Sequence, residues 1–352
     1  MKYRLYANSH KAWDGMIKAI AKAETSVYLE MFILLGDTNK THNFFQLLKD
    51  KALSGVEVII IADSIGSSAL KSEIVKELRA AGIEFRFFSH WLRWTHRKIL
   101  IVDRRVAFLG GVNIKEEIRN WRDMQIRLEG GVVKLVLKSF AKSYSRCGGR
   151  NASVLNLAKT SLPRKIKYWV LDNWADTAQP YYLNNYYRHK IAEAKSSIQI
   201  VTPYLLPPRW LLIALDNACR RGVKVELIIP EDTDVKALNR INHLNSCRLA
   251  AVGVKIYFIE QMNHAKVMLI DDEEVVIGSQ NMDILSLGPG FDFMRLGYEV
   301  GVFSRQHNLV ADIKKVIDGW REEAKLFDFK LKKLGILDQF MMFLLRFLYP
   351  IF

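Results

Sequence analysis

Two copies of one short pattern dominate this sequence and constrain what it can fold into. The pattern reads H-x-K-x4-D-x6-G-(G/S)-x-N, and its copies begin at His96 and His264. In each copy the residues between the lysine and the aspartate, 99–102 and 267–270, are all apolar, as in a strand that is buried on both faces. One such match can arise by chance, but two with the same spacing indicate an internal duplication.

The histidine and the lysine of each copy lie two residues apart. In an extended segment, side chains at i and i+2 project to the same face, so His96 should lie beside Lys98 and His264 beside Lys266. An ammonium group can neutralise phosphate oxygens, while an imidazole can attack phosphorus or protonate a leaving oxygen. The two copies therefore predict phosphoryl-transfer chemistry in which one histidine attacks and the other protonates the leaving group.

Helical stretches alternate with short apolar stretches in both halves of the chain. In the first half, predicted helices at 12–23, 44–53 and 72–81 alternate with predicted strands at 26–34, 56–61 and 83–88, and the second half repeats this order from residue 186. This alternation predicts the α/β class: two tandem α/β/α domains with mixed, largely parallel sheets, related by a pseudo-twofold axis that brings both His-Lys pairs into one cleft. The predicted segments are a first domain at 1–145, a connector at 146–180, a second domain at 181–330 and an apolar C-terminal segment at 331–352.

The net charge of +15 and the pI near 9.6 favour a polyanionic partner, either nucleic acid or an anionic membrane surface. Three scattered cysteines are too few for a disulfide framework or a zinc site. The first ten residues have no apolar core, so we expect no signal peptide, and no run reaches the roughly 18 apolar residues of a membrane span. We therefore expect a cytoplasmic protein associated peripherally with the cell membrane.

Three segments are candidate membrane contacts: the basic and aromatic stretch at 163–169, the apolar stretch at 334–352, and residues 91–94 just before the first motif. The alternatives are a nucleic-acid contact or a solvated connector for the first, a terminal helix packed on the body for the second, and an ordinary packed loop for the third.

The duplicated motif resembles that of the phospholipase D superfamily, and within it the chain looks most like bacterial cardiolipin synthases. The resemblance covers nearly the whole chain up to about residue 325. Besides the two motifs, it is carried by Gly110-Gly111-Val112-Asn113-Ile114 leading to Trp121-Arg122-Asp123, by Val201-Thr202-Pro203-Tyr204, and by Gly278-Ser279-Gln280-Asn281-Met282-Asp283 leading to Tyr298-Glu299.

The resemblance implies a covalent mechanism, in which one histidine forms a phosphohistidine and the other acts as acid and base. We predict His96 as the nucleophile and His264 as the acid/base, although the near symmetry leaves the reverse order open. Both lysines would hold phosphoryl oxygens. The further residues expected to bind substrate are Asn113, Ser279 and Asn281.

An attacking imidazole needs an acceptor on its other nitrogen. The acid that follows each Gly-x-x-Asn is the natural candidate, so we expect Asp123 to orient His96 and Glu299 to orient His264. Asp103 and Asp271 complete the catalytic motif, but their position at strand ends favours a supporting structural role, as a turn cap or ion-pair partner. We expect no metal or other cofactor, because the two lysines already supply positive charge.

Three functions remain open at this point. The first is a phosphatidyltransferase that makes cardiolipin from phosphatidylglycerol, or from it and a second phospholipid. The second is a hydrolase, a phospholipase D or an endonuclease, with water as acceptor, and the third is a binding protein without activity. Three features favour an anionic phospholipid substrate over nucleic acid: the duplication within one chain, Trp121-Arg122-Asp123 and the apolar tail. We also expect the active unit to be a monomer.

The sequence departs from the family pattern in two places. Gly111 stands where the second motif has Ser279, so the halves are chemically unequal. A longer glycine-rich loop, residues 284–292, precedes Glu299, and it bears on the pocket for the accepting alcohol more than on the core chemistry.

Overall fold

The computed structural model describes residues 1–89, 93–159, 168–173, 182–288 and 297–328. These residues form two compact units. The first unit is Met1–Asp172 with two short additions, Ile277–Ser279 and Gly297–Phe303, and the other described residues form the second. The additions matter because they carry two predicted site residues, Ser279 and Glu299, into the unit that holds the first motif. The predicted domain boundaries stay a prediction. Residues 163–167, 91–92 and 334–352, named above as membrane contacts, lie outside the described residues.

The described elements alternate much as the sequence predicts. The helices are α1 (Ser9–Ala21), α2 (Phe44–Leu53), α3 (Ser72–Ala80), α4 (Val132–Arg146), α5 (Ala152–Leu155), α6 (Tyr182–Glu193), α7 (Arg209–Arg220), α8 (Lys236–Ala250), α9 (Ile284–Leu287) and α10 (His307–Glu323). The strands are β1 (Lys2–Asn8), β2 (Ser26–Met31), β3 (Glu57–Asp63), β4 (Glu84–Phe88), β5 (Trp94–Thr95), β6 (Lys98–Val102), β7 (Val106–Gly110), β8 (Arg122–Glu129), β9 (Tyr168–Asn173), β10 (Ser197–Val201), β11 (Leu205–Leu206), β12 (Lys224–Pro230), β13 (Lys255–Ile259), β14 (Val267–Ile270), β15 (Glu274–Gly278), β16 (Met282–Asp283), β17 (Gly297–Ser304) and β18 (Lys325–Leu326).

The main sheet of the first unit has the order β1-β8-β7-β6-β2-β3-β4. Among the described residues, its β2–β3 and β3–β4 pairings are parallel, whereas the four others are antiparallel. The mixed sheet is confirmed, but the prediction that it is largely parallel is wrong for this unit. The reason is that β6 and β7 form an antiparallel hairpin and that β1 pairs antiparallel with β8 at one edge of the sheet. In the described part of this sheet, only β2, β3 and β4 are parallel strands joined by helices.

Both faces of this sheet are covered, as predicted for an α/β/α domain. On one face, α1, α2 and α3 contribute Trp13, Phe44 and Leu78 to a core that also contains Val27 and Leu29 of β2. On the other face α4 packs, and its Phe140 ring stacks on the Tyr28 ring with centroids 5.3 Å apart. Because neighbouring strand residues point to opposite faces, β2 is buried on both sides.

The sheet of the second unit repeats the parallel centre of the first. Its described order is β18-β13-β12-β10-β14-β15, in which β10, β12 and β13 are parallel and β14 runs antiparallel to β10. The duplication of an α/β domain is therefore confirmed, while the pseudo-twofold relation stays a prediction. Within the described residues, no helix is both long enough and apolar enough to cross a bilayer.

Candidate active site

Each motif histidine lies just ahead of a buried strand. The strands begin at Lys98 and Val267, so the histidines lie in short segments before β6 and β14 and not within the ladders. In both copies the lysine Nζ donates a hydrogen bond to the carbonyl oxygen of its own histidine. His96 is 8% exposed and His264 5%, and both lysines are buried more deeply. These bonds reach the histidine backbone and not the imidazole, so the predicted side-by-side placement of each histidine ring and its lysine stays a prediction.

Glu299 contacts the first histidine. The Nδ1 atom of His96 lies 3.1 Å from Glu299 Oε1 and 3.3 Å from Oε2. The prediction that Glu299 orients His264 is wrong, because β17 pairs in parallel with β5, and the His96 N–H donates to the Tyr298 carbonyl at 3.0 Å. This pairing sets Glu299 beside His96, although 203 residues separate them.

The charge state of Glu299 follows from its neighbours. Burial alone would raise its pKa, but the facing charges of His96 and Lys98 and the Ser279 hydroxyl lower the pKa of Glu299 to about 2. The carboxylate is therefore ionised at neutral pH and accepts the Nδ1 proton of His96. This hydrogen bond fixes one tautomer and leaves Nε2 available for chemistry.

Ser279 holds the carboxylate from the other side. Its hydroxyl donates to Glu299 Oε2 and accepts the Val300 N–H at 3.1 Å. Because a hydroxyl has one proton, this contact gives Ser279 the role of holding Glu299. The direct contact of Ser279 with substrate stays a prediction.

Phe32, which sequence reasoning missed, contacts both His96 and Lys98. Its ring meets the His96 ring edge-on with centroids 4.8 Å apart, and the Lys98 ammonium lies 5.0 Å from its centroid. An aromatic face stabilises a nearby cation, so this ring supports a charged Lys98 in a buried position.

The two motif asparagines occupy different surroundings. The Asn113 side-chain oxygen accepts the Ile33 N–H at 3.0 Å, and its carbonyl accepts the Trp13 indole N–H at 2.9 Å. Asn113 therefore ties the end of β2 to α1. Asn281 is 5% exposed, and its buried side-chain oxygen has no hydrogen-bond partner among the described residues.

Asp123 lies against the backbone of the first motif. An ideal Cβ built on Gly111 would overlap Asp123 Oδ1, and the Asp123 carboxylate accepts the Met124 N–H at 2.7 Å. Glycine at position 111 is thus required by the close approach of the carboxylate. The histidine-orienting role of Asp123 stays a prediction.

Asp103 and Asp271 have matching contacts in the two units. Asp103 Oδ1 accepts N–H groups of Thr25 and Ser26 at 2.7 and 3.0 Å, and Asp271 Oδ1 accepts those of Ser196 and Ser197 at 2.8 and 3.0 Å. Both residues have left-handed φ angles, 50° and 52°, in the hairpin turn. Burial would raise their pKa, but the backbone donors lower the pKa of both carboxyls below its ordinary value. These contacts agree with the structural role expected for the two aspartates.

Around the second histidine the structure adds two residues that sequence reasoning missed. The Tyr204 ring meets the His264 ring edge-on at 6.4 Å, and the Tyr204 hydroxyl donates to Asp234 at 2.6 Å. Asn263 accepts the Ala265 N–H at 3.1 Å and is fully buried.

Within the described residues, no group of three or more His, Cys, Asp or Glu side chains is arranged to hold a metal ion.

Comparison with known proteins agrees with the motif. The family model described as "Cardiolipin synthase, PLD-like domain" matches residues 16–141 and 187–320. The cardiolipin synthase of Clostridium perfringens (strain SM101 / Type A) is 33% identical over 312 residues, which cover 82% of this chain and 65% of that protein. The minor cardiolipin synthase ClsB of Bacillus subtilis (strain 168) is 31% identical over 291 residues, covering 78% of this chain and 71% of that protein.

A solved structure supports the fold. The phosphatidylserine synthase of Haemophilus influenzae Rd KW20 superposes with a TM-score of 0.75 at 14% identity, covering 98% of this chain and 93% of that chain. This chain spans less than two thirds of the length of the Clostridium relative. The family model nevertheless matches both halves, each around one copy of the motif, and the chain therefore belongs to the cardiolipin synthase, PLD-like domain family.

Proposed function

We propose that this protein is a phosphatidyltransferase that makes cardiolipin from phosphatidylglycerol, or from phosphatidylglycerol and a second phospholipid. The observation that carries the proposal is the hydrogen bond from His96 Nδ1 to the ionised carboxylate of Glu299 beside the buried ammonium of Lys98. This arrangement suits a nucleophile that must attack a negatively charged phosphodiester. Membership of the family supports the choice of a phospholipid.

In the first step, His96 Nε2 attacks the phosphorus of phosphatidylglycerol. The P–O bond to the headgroup breaks, and His264 gives a proton to the departing glycerol oxygen. The product is a phosphatidyl-histidine in which Nδ1–H still faces Glu299, so the positive charge that develops on the ring is stabilised. Lys98 and Lys266 neutralise the phosphoryl oxygens, and Asn281 contributes a buried amide to the same task.

In the second step, His264 removes the proton of an incoming hydroxyl. That oxygen attacks phosphorus, the P–N bond to His96 breaks, and the phosphatidyl group passes to the acceptor. With the headgroup hydroxyl of a second phosphatidylglycerol as acceptor, the product is cardiolipin. Both steps need the two His-Lys pairs in one cleft, which is part of the proposal.

We place the enzyme on the cytoplasmic face of the cell membrane as a peripheral protein, with one chain as the active unit. The net charge of +15 supports attraction to an anionic lipid surface, where each basic residue near the surface adds about 1 kcal/mol.

A product assay tests the proposal. Purified protein is given phosphatidylglycerol vesicles, with His96→Ala and His264→Ala as controls. Cardiolipin and free glycerol in equal amounts, absent in both variants, are the expected result. Phosphatidic acid without cardiolipin would show that water is the acceptor and that the enzyme is a phospholipase D. DNA cleavage by the wild type alone, without any lipid product, would replace the lipid proposal by an endonuclease.

A further inference from the structure

A buried polar cluster surrounds the residues on either side of His96. It consists of Glu30, Asp63, Thr95, Arg97, Ser139 and Ser143, which are all at most 1% exposed, and we call it the His96 clamp. None of its members belongs to the site predicted from the motif. Two carboxylates and a guanidinium in a fully buried position are costly, and burial raises the pKa of Glu30 and raises that of Asp63 to about 6.

Thr95, the residue before His96, is held at two points. Its N–H donates to Asp63 Oδ2 at 2.7 Å, and its hydroxyl donates to Glu30 Oε1 at 2.7 Å. Asp63 is itself fixed at the end of β3 by the N–H groups of Ile65 and Gly66 at 2.9 and 2.8 Å. The backbone that enters His96 is therefore tied to two neighbouring strands.

Arg97, the residue after His96, is held by α4. Its guanidinium donates to the Ser143 hydroxyl at 2.6 Å and to the Ser139 hydroxyl, and it lies 3.7 Å from Glu30 Oε2. Ser143 also donates to Glu30 Oε1 at 2.8 Å, so the cluster is connected through this carboxylate. Residues 96–97 lie between β5 and β6, and the side-chain contacts of Thr95 and Arg97 add to the backbone hydrogen bond from His96 to Tyr298.

The described residues of the second unit carry no charge at the positions that correspond to four clamp members, Glu30, Asp63, Thr95 and Arg97. Glu30 lies opposite Ile99 in the β2–β6 register, and Val201 lies opposite Val267 in the β10–β14 register. Since Ile99 and Val267 each follow a motif lysine, Val201 is the counterpart of Glu30. By the same strand registers, Pro230 is the counterpart of Asp63. By their positions in the motif, Asn263 and Ala265 are the counterparts of Thr95 and Arg97.

The second unit builds the same parallel centre of the sheet around its motif without charges at these four positions. The fold alone therefore does not require the clamp, and its presence on one side only needs another reason. A nucleophile must meet its target within about 0.5 Å, whereas a proton donor can adjust to a flexible leaving group.

We propose that the His96 clamp is a set of positioning residues that fixes the imidazole of His96 for attack on phosphorus. The assignment rests on the proposed function, in which His96 is the nucleophile. Thr95 fixes the backbone on the N-terminal side of His96, and Arg97 fixes it on the C-terminal side. Glu299 fixes the tautomer of the ring.

The test uses Thr95→Val, which keeps the shape of the side chain and removes the hydroxyl, and Thr95→Ser, which restores it. Tyr186→Phe is the matched control, because it also removes a hydroxyl that donates to a buried carboxylate, that of Glu274 at the start of β15. For each variant, kcat and KM for phosphatidylglycerol are measured per folded molecule. The Nδ1–H proton of His96 is followed by NMR and assigned by its loss in His96→Gln.

The expected result for Thr95→Val is a kcat about 10- to 100-fold lower with KM changed less than twofold, and a shifted or broadened Nδ1–H resonance. Thr95→Ser restores both, and Tyr186→Phe leaves both unchanged. A Thr95→Val protein that melts earlier but keeps kcat and the resonance would overturn the proposal, because the cluster would then be structural only.

Two further arms keep the test decisive. If Thr95→Val does not fold, Arg97→Lys replaces it, because lysine keeps the charge but cannot contact both serines. An intermediate loss of kcat with a moved resonance supports the proposal, and wild-type values for both overturn it. If the wild type makes no cardiolipin, the proposed function fails while the resonance still decides: a shift in the variants supports the clamp, and no shift rejects it.

Discussion

The surroundings of the two motifs differ far more than the motifs themselves. The turn at the end of each motif strand is the same in both units, with Asp103 and Asp271 accepting the same set of backbone N–H groups. Ahead of the strand, the first unit has a buried cluster of charges where the second has apolar or uncharged side chains. The duplication has kept the contacts that the hairpin needs and has changed the residues on either side of the histidine.

A second difference concerns the acid that follows each motif. In the first copy, Asp123 lies directly against Gly111, and a side chain at position 111 would overlap its carboxylate. In the second copy, Glu299 receives a hydrogen bond from Ser279. In both copies the residue at this position lies against the acid that follows the motif, but only Ser279 gives that acid a hydrogen bond from its side chain.

The largest effect is expected for Glu299→Gln. The amide cannot hold the imidazolium that forms on His96, and it can stabilise the wrong tautomer, so kcat should fall about 100- to 10,000-fold. The rate of cardiolipin formation from phosphatidylglycerol measures this, with circular dichroism as the control for folding. A loss below tenfold would mean that Glu299 does not orient the nucleophile.

The next effect tests the difference between Gly111 and Ser279. Gly111→Ser should lower kcat at least tenfold and lower Tm, because the new side chain displaces the Asp123 carboxylate. Ser279→Gly removes one hydrogen bond to the ionised Glu299 carboxylate and should lower the free energy of unfolding by about 1.5–3 kcal/mol. Equal and small effects in both variants would show that the two positions are interchangeable.

A smaller effect tests what the two units share. Asp103→Ala and Asp271→Ala should each lower the free energy of unfolding by about 2 kcal/mol, because each removes the acceptor of several backbone N–H groups. Urea unfolding measures the loss, and kcat per folded molecule should be kept in both variants. A loss of kcat with unchanged stability in either variant would point to a chemical role for that aspartate.

The smallest effect is on the pH dependence of stability. The pKa of Glu299 is lowered from 4.5 to about 2 in the folded state, so its contribution to stability is fully present above about 4.5 and is lost as the pH falls towards 2. The stability difference between wild type and Glu299→Gln should therefore shrink as the pH falls through this window. A difference that does not change between pH 6 and 3 would mean that the carboxylate is not held in its ionised form.

The sequence predicts those parts of the fold and site that depend on local spacing. The buried strand that follows each motif lysine and the position of Asp103 in the turn after it can be read from residues a few positions apart, and the structure agrees. The antiparallel share of the first sheet does not follow, because the pairing of β1 with β8 joins chain segments more than a hundred residues apart.

Long-range partners are the part that sequence reasoning misses. The sequence predicts that Glu299 orients His264, the histidine of its own half, but the parallel pairing of β17 with β5 sets Glu299 beside His96. A charged residue within a buried strand, as Glu30 is in β2, is a signal for a polar cluster. It does not name the partners, since Arg97 and Ser143 lie 67 and 113 positions further along the chain.

Trapping the covalent intermediate tests the central claim that the two similar histidines play different parts. Wild type and His264→Ala are mixed with a short-chain phosphatidyl-p-nitrophenol, whose leaving group needs no acid, quenched in alkali and analysed by peptide mass spectrometry. We predict a phosphatidyl adduct on His96 in both proteins, lasting longer in His264→Ala because no base activates the acceptor. An adduct on His264 in the wild type, or none on His96 in either protein, would contradict the account.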